Sequence, residues 1–319
     1  MINNLPFVSV ILPVRNEEKR IKGCLEAISN QSYPKEKMEV LIIDGMSEDR
    51  TRQLISPFGF IIIDNPKKAI ASACNIGIKN AKGDIIVRVD ARVRIPKDYI
   101  RRCVKILLET GADNAGGKQE VVSGSSLVQE AAAYADKSPF GRGNNQRESG
   151  WVNTVYLGCF RKEIFEKVGL FDEDPLTIPE DTDMDTRIIK SGGRIYFDNR
   201  IISYYCPRDN FKDLWKLYFV YGGAAASYFI KHKKLSLRKS APILLLPVAL
   251  FLVLLSLLNN IFVAILGFAA LAYLFLDVYF SAKKPKLFPI LLAIFPLIHF
   301  SWSLAFYKRL ATIKKKTIT

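Results

Sequence analysis

The chain has 319 residues, 46 Lys and Arg against 31 Asp and Glu, and a net charge of +15, enough length for one large domain or two small ones. From Lys231 onward 13 Lys and Arg face one acid, Asp277, a balance of +12 that leaves +3 for the first 230 residues. The basic excess therefore flanks the apolar C-terminal runs, where it suits anionic lipid headgroups, and with no basic recognition motif upstream the sequence excludes a nucleic-acid partner.

Phe7 to Val14 (FVSVILPV) is a short apolar, β-branched run and predicts a buried parallel strand. Ile21, Leu25 and Ile28 mark a helix between Glu17 and Ile28. Met38 to Ile43 predicts a second strand ending at Asp44-Gly45, with Ser47 and Asp49 placed to cap the next helix. Phe60 to Ile63 is a third strand, Ala69 to Lys79 a helix, and Asp84 to Val89 a fourth strand ending at Asp90. Pro96 opens another helix. This alternation predicts an α/β fold: a mostly parallel sheet covered by helices, with ligands beyond the carboxyl ends of the strands. Three residue sets fall there: Pro13, Val14, Arg15, Asn16 and Glu17; Asp44-Gly45; and Asp90 to Arg92. Acids at strand ends also serve as helix caps, so their shared position is what marks them. No G-x-G-x-x-G or G-x-x-x-x-G-K-[ST] follows the first strand, which argues against a Rossmann-type dinucleotide site and a P-loop.

A strand-like run, VNTVYLGCF, precedes the acid-dense stretch PEDTDMDTR at Pro179 to Arg187. Glu180, Asp181, Asp183 and Asp185 crowd into six positions, and their mutual repulsion raises their pKa values unless a cation or donor answers it. Carboxylates also suit the start of a helix, which is the bland reading. Within Ile178 to Asp198 the helix turns Met184, Ile188 and Ile189 inward, and Lys190, Gly192 and Gly193 end it. Arg187 is spaced to pair with Asp183, so Asp183 and Asp185 read as structural. His232 and His299 have no partner at ligand spacing. Cys24, Cys74, Cys103, Cys159 and Cys206 are scattered, as reduced thiols would be, and the N-terminus lacks the pattern of a signal peptide. The soluble part is thus expected in the cytoplasm.

Phe211 to Tyr221 puts Phe211, Leu214, Trp215 and Tyr218 on one helical face, with Gly222 and Gly223 as a break or bend. With the basic run KHKKLSLRK after it, the segment 207–240 reads as an interfacial amphipathic helix and polybasic linker, a core helix being the alternative. The region 241–319 then offers about three apolar helices, 241–258, 261–280 and 287–307, each near the length that crosses a bilayer. Asn259-Asn260 makes the first turn and the lysines around Pro285 a cytoplasmic loop. Three crossings would leave the basic tail KRLATIKKKTIT outside, against the positive-inside rule, unless Pro289 and Pro296 bend the last segment into a re-entrant one.

The segments VSVILPVRNEE, LIIDGMSEDRT, NIGIKNAKGDIIVRVDA, YLGCFRKEIFEKVGLFDE and EDTDMDTRIIKSGGRI, together with SPFGRGN and VNTVYLG, resemble inverting glycosyltransferases of family 2, nearest the bacterial exopolysaccharide group of succinoglycan type. The resemblance runs from Phe7 to about Asn199 and implies the GT-A fold over residues 1–206. It implies that Pro13 to Glu17 border the nucleotide, that Asp44 accepts from the uracil ring and that Asn75 belongs to the nucleotide-binding N-x-G element. Asp90 would be the first Asp of D-x-D, meeting ribose, diphosphate and a Mg²⁺ or Mn²⁺ ion. Asp181 would be the general base, with Gly158, Trp151 and Glu180 on the acceptor side.

That chemistry needs a carboxylate within reach of the acceptor hydroxyl and a cation opposite the leaving diphosphate. Two departures bear on it. Arg92 stands where D-x-D has its second Asp. Either a metal is held by Asp90 with other carboxylates, or Arg92 supplies positive charge at the diphosphate, or it points to solvent with Arg88 and Arg94. Cys74 stands where many members carry Arg.

The resulting expectation is a transferase in the cell (inner) membrane, multi-pass, with a cytoplasmic catalytic domain. It would move a hexose from a UDP-sugar to a hydroxyl of a polyprenyl-linked glycan, with membrane lipids as the other partner. A polyprenyl-phosphate sugar synthase and a non-catalytic scaffold are the alternatives. A processive synthase is disfavoured because QRESGW precedes the Glu-Asp motif.

Overall fold

The computed structural model describes residues 5–122, 126–141, 148–174, 179–233 and 237–318, the side chains of 232, 237–241 and 313–318 excepted. Several sequence features lie outside these residues: Arg142 to Asn144 of SPFGRGN, Gln146-Arg147 of QRESGW, Ile178, Lys234 to Ser236 of the basic linker, and the side chains of Lys314 to Lys316.

The expected strands form. β1 (Val8–Val14), β2 (Met38–Asp44), β3 (Ile61–Asp64) and β4 (Ile85–Arg88) make a parallel half-sheet in the order β3-β2-β1-β4. The helices between and after them are α1 (Ile21–Ser29), α2 (Thr51–Ile55), α3 (Ile70–Asn80) and α4 (Tyr99–Thr110). Alternate side chains leave opposite faces of a strand. Val10, Leu12, Ile42 and Val87 pack with Leu25 and Ile28 of α1 and Val104 of α4, whereas Ile11, Leu41, Ile43 and Ile86 pack with Ala73 and Ile78 of α3. Burial on both faces is why β1 and β2 read as unbroken apolar runs.

Beyond β4 the sheet becomes mixed. β8 (Tyr156–Arg161) lies antiparallel on β4, β6 (Asn114–Val121) antiparallel on β8, and then come β9 (Ile195–Tyr205) and β5 (Val93–Arg94), with β7 (Gly150–Val152) paired to β9. The reversal brings the start of β8, rather than its end, to the carboxyl end of β4. The acid-dense stretch forms the helix Glu180–Lys190, whose Met184 and Ile188 join the α3 face of the core.

The chain divides into two compact units: Met1–Glu120, Gln146–Pro175 and Glu180–Tyr205 in the first, Val121–Asn145, Leu176–Pro179 and Cys206–Thr319 in the second. Residues 121–145 thus group with the helical unit rather than with the sheet. That unit holds α5 (Leu127–Lys137), then, after α6 (Ile164–Val168) and α7 (Glu180–Lys190) of the first unit, α8 (Phe211–His232), α9 (Leu237–Ser256), α10 (Asn260–Ala282) and α11 (Phe288–Ile318). Ala131 and Ala135 of α5, Leu214 and Tyr218 of α8, and Leu291, Phe295 and Ile298 of α11 form its core. Half of the stripe expected at a membrane surface is therefore core, while Phe211 and Trp215 stay exposed.

Gly222 does not break α8. It lets the α11 backbone approach so closely that a Cβ would collide with the Trp302 carbonyl. Among the described residues two helices are long and apolar enough to cross a membrane, Asn260–Ala282 and Pro285–Thr312; Pro242–Ser256 is a shorter apolar helix. Of the first span only 6% is buried within the protein, so its apolar side chains face outward. α11 is continuous through Pro296, and His299 does find partners: the Tyr273 hydroxyl at 2.8 Å and the Phe140 carbonyl at 2.7 Å.

Candidate active site

The loops after β1 and β2 are laced together. Asn16, at φ 52°, donates its N–H to Ser47 Oγ (3.0 Å) and accepts from Glu48 N–H (2.9 Å), while the Glu17 and Glu18 N–H groups donate to Thr51 Oγ1 (2.8 Å) and Asp49 (3.1 Å). Asp44 is fully buried and accepts from Ser47 Oγ at 2.5 Å and from the Ser47 N–H, with Arg52 Nε at 3.3 Å. Its oxygens already have partners, so a uracil contact there would require these bonds to open. Pro13 and Val14 close β1, Val14 buried, and exposed Arg15 lies along Gly45.

At the end of β4 three arginines go to three different places. Arg88 is buried; its Nε donates to Asp90 Oδ1 at 3.0 Å and its Nη1 lies 3.0 Å from Glu180 Oε1. Arg92 Nε donates to Glu17 Oε1 at 2.7 Å. Arg94 packs beside Gly23. Arg92 is thus engaged with the first-strand loop and does not point to solvent. Burial raises the pKa of Glu17, opposed by Arg92, and leaves its Oε2 buried without a partner among the described residues. Burial also raises Glu180, with Arg88 opposing and Asp181 adding to the rise. Burial works against the charge on Arg88, but the Asp90 and Glu180 carboxylates hold its pKa well above the usual value.

Helix α7 carries the acids. Asp181 is half-buried and accepts from its neighbour Thr182. Asp183 pairs with Arg187 at 2.9 Å, as the spacing predicts, and Arg187 also donates to the carbonyls of Val168 and Leu170. Asp185 accepts from Asn114 Nδ2 (2.8 Å) and the Val155 N–H (3.0 Å), and burial pushes its carboxyl up to about 7.

The structure joins Asp90 and Glu180 through Arg88, with Asp181 beside Glu180, and pairs Arg92 with Glu17, while three further candidates have packing or hydrogen-bond partners of their own. Asn75 is buried and ties down the chain after α6, exchanging hydrogen bonds with Phe171 and donating to Glu173. Gly158 lies inside β8, where a Cβ would strike the Phe160 ring, a packing role. Trp151 is 52% exposed on β7, between Tyr196 and the Arg194 guanidinium 4.5 Å from its ring. Two site residues were missed. Tyr156 places its hydroxyl 3.4 Å from Asp90 Oδ2, and Arg88 holds two acids. The signal for Arg88 was a charge at the end of the otherwise apolar strand IIVR.

Residues 9–169 match the family described as glycosyl transferase family 2. This chain belongs to that family. It is 30% identical to the succinoglycan biosynthesis protein ExoA of Rhizobium meliloti, over 96% of both chains. It is also 32% identical to a dolichyl N-acetyl-α-D-glucosaminyl phosphate 3-β-D-2,3-diacetamido-2,3-dideoxy-β-D-glucuronosyltransferase of Methanococcus voltae, over 68% of this chain and 72% of the other. Among solved structures, the mannosyltransferase PcManGT of Pyrobaculum calidifontis, in complex with GDP-Man and Mn²⁺, shares the fold, with a TM-score of 0.66 and 18% identity over 96% of this chain and 88% of that one.

For a family-2 glycosyltransferase the site is a cluster of paired charges. Among the described residues no group of three or more His, Cys, Asp or Glu could hold a metal. Asp90 offers a partly exposed carboxylate, and Mg²⁺ or Mn²⁺ commonly takes one or two carboxylates with substrate phosphates. The residues therefore fit an ion shared with a diphosphate and not a preformed protein cage. Such an ion would offset charge on the leaving group.

Proposed function

We propose that this glycosyltransferase acts in exopolysaccharide or related glycan assembly at the cell membrane. It moves a hexose from a nucleotide sugar, a UDP-sugar in the first instance, onto a hydroxyl of a polyprenyl-linked glycan, with inversion. Asp181 takes the proton as the hydroxyl attacks the anomeric carbon. Asp90, with a shared divalent ion, and Arg92 stand on the diphosphate side, and Glu17 holds Arg92 there. A second positive charge near the diphosphate reduces what a metal must supply, because the leaving group's developing charge is met electrostatically.

The observation that carries this reading is the bridge from Asp90 through Arg88 to Glu180, which sets the acid motif of α7 beside the strand end where nucleotides bind in such sheets. The succinoglycan name of the 30% identical relative supports a polysaccharide role, and the apolar helices support a membrane-borne acceptor. The basic flanks favour a cytoplasmic catalytic unit.

The test is sugar transfer by membranes carrying the protein. Radiolabelled UDP-glucose, UDP-galactose and GDP-mannose are offered with a bacterial lipid-linked extract, with and without EDTA. Label should enter the lipid phase with one donor and fall at least about a hundredfold in Asp181→Asn. Transfer that survives Asp181→Asn would overturn the base assignment, and no transfer from any donor would overturn the transferase reading.

A further inference from the structure

We propose that Arg88 is a positioning residue for transfer: one buried guanidinium holds Asp90 and Glu180 together and thereby sets where Asp181, the next residue, stands. The inference rests on Asp181 as base and Asp90 as the donor-side carboxylate.

Arg88 ends β4 with its side chain 11% exposed, and Glu180 is 15% exposed. Two separate nitrogens serve two separate acids, Nε to Asp90 and Nη1 to Glu180, both at 3.0 Å. A planar fork suits this arrangement and an ammonium does not, because the fork fixes both directions at once. Glu180 is the first residue of α7, so its tether fixes the turn that carries Asp181. A donor-side residue and the base then share one anchor, although they come from distant parts of the chain.

The charges facing Glu180 are Arg88 from β4, Asp90 from the loop after it and Asp181 from its own helix. Cys74 of α3 adjoins the cluster, but burial pushes its thiol up to about 12 and it stays neutral. Without the fork Asp90 and Glu180 lose their common anchor, and Asp181 is no longer held within reach of the acceptor hydroxyl.

The experiment uses the full chain in membranes, the donor that wild type transfers, and initial rates over a range of donor concentrations that separates kcat from KM. The variants are Arg88→Gln, Arg88→Lys and Asp181→Asn, each checked for folding by thermal melting in detergent. Arg88→Gln loses the charge and the fork and should lower kcat about a hundredfold while the donor KM changes little. Arg88→Lys keeps the charge and loses the fork. It should lower kcat about tenfold through misplacement and change the donor KM little.

A folded Arg88→Gln that keeps wild-type kcat, or that loses rate through the donor KM alone, would overturn the proposal. If Arg88→Gln does not fold, Arg88→Lys decides, and wild-type kcat there overturns it. Asp181→Asn separates the two levels: transfer retained in that variant overturns the base assignment beneath the proposal. Loss of transfer in Asp181→Asn with wild-type kcat in Arg88→Gln overturns only the role of Arg88.

Discussion

Replacing Asp185 by Asn should change how the stability of this enzyme depends on pH. Asp185 is 1% exposed and its carboxyl is pushed up to about 7, so the folded chain binds a proton that the unfolded chain, with an ordinary value of 3.8, releases. The stabilising contribution of the protonated form is complete below the unfolded value and is lost as pH rises through the folded one. Between pH 5 and 8 that loss amounts to about 2–3 kcal/mol. Asn is permanently uncharged. Its oxygen can accept from the Val155 N–H, and its amide can donate to Asn114 Oδ1, a buried acceptor without a partner among the described residues, once the Asn114 amide turns over. The melting temperature of Asp185→Asn minus that of wild type should therefore rise by about 5–10 °C from pH 5 to 8, at roughly 2–4 °C per kcal/mol for a unit of this size. Differential scanning of both proteins in detergent across that range measures the difference, and other titrating groups cancel in it. A constant difference from pH 5 to 8 would refute the reasoning.

Gly222→Leu should destabilise the helical unit by about 3 kcal/mol, because the added side chain must displace the Trp302 backbone of α11; an unchanged melting temperature would contradict that close approach. In the native protein a maleimide should label half-buried Cys206 first. It should spare Cys24, Cys74, Cys103 and Cys159 until the chain is denatured, since all four are buried and burial pushes Cys24 and Cys74 up to about 12. Peptide mass spectrometry before and after denaturation reads this directly.

Local pattern was enough for the parallel half of the sheet, since β-branched runs bounded by helical stripes admit few other arrangements. It was enough also for the Asp183–Arg187 pair, four residues apart on one helix, and for the two long apolar helices. The antiparallel half was not legible, because strand direction after residue 121 depends on how a long excursion returns. Nor could the sequence say which polar groups are already satisfied. Asp44 and Asn75 carry the right chemistry at the right places, yet their partners Arg52, Ser47, Phe171 and Glu173 occupy them. Arg88 looked like one of three surface arginines because its second partner, Glu180, lies far along the chain. Residue types and their local spacing are properties of the chain and determined the family, the strands and the identity of the acids. Whether a charge is exposed, paired or shared between two acids depends on burial and on contacts between distant segments, and only the tertiary structure decided it.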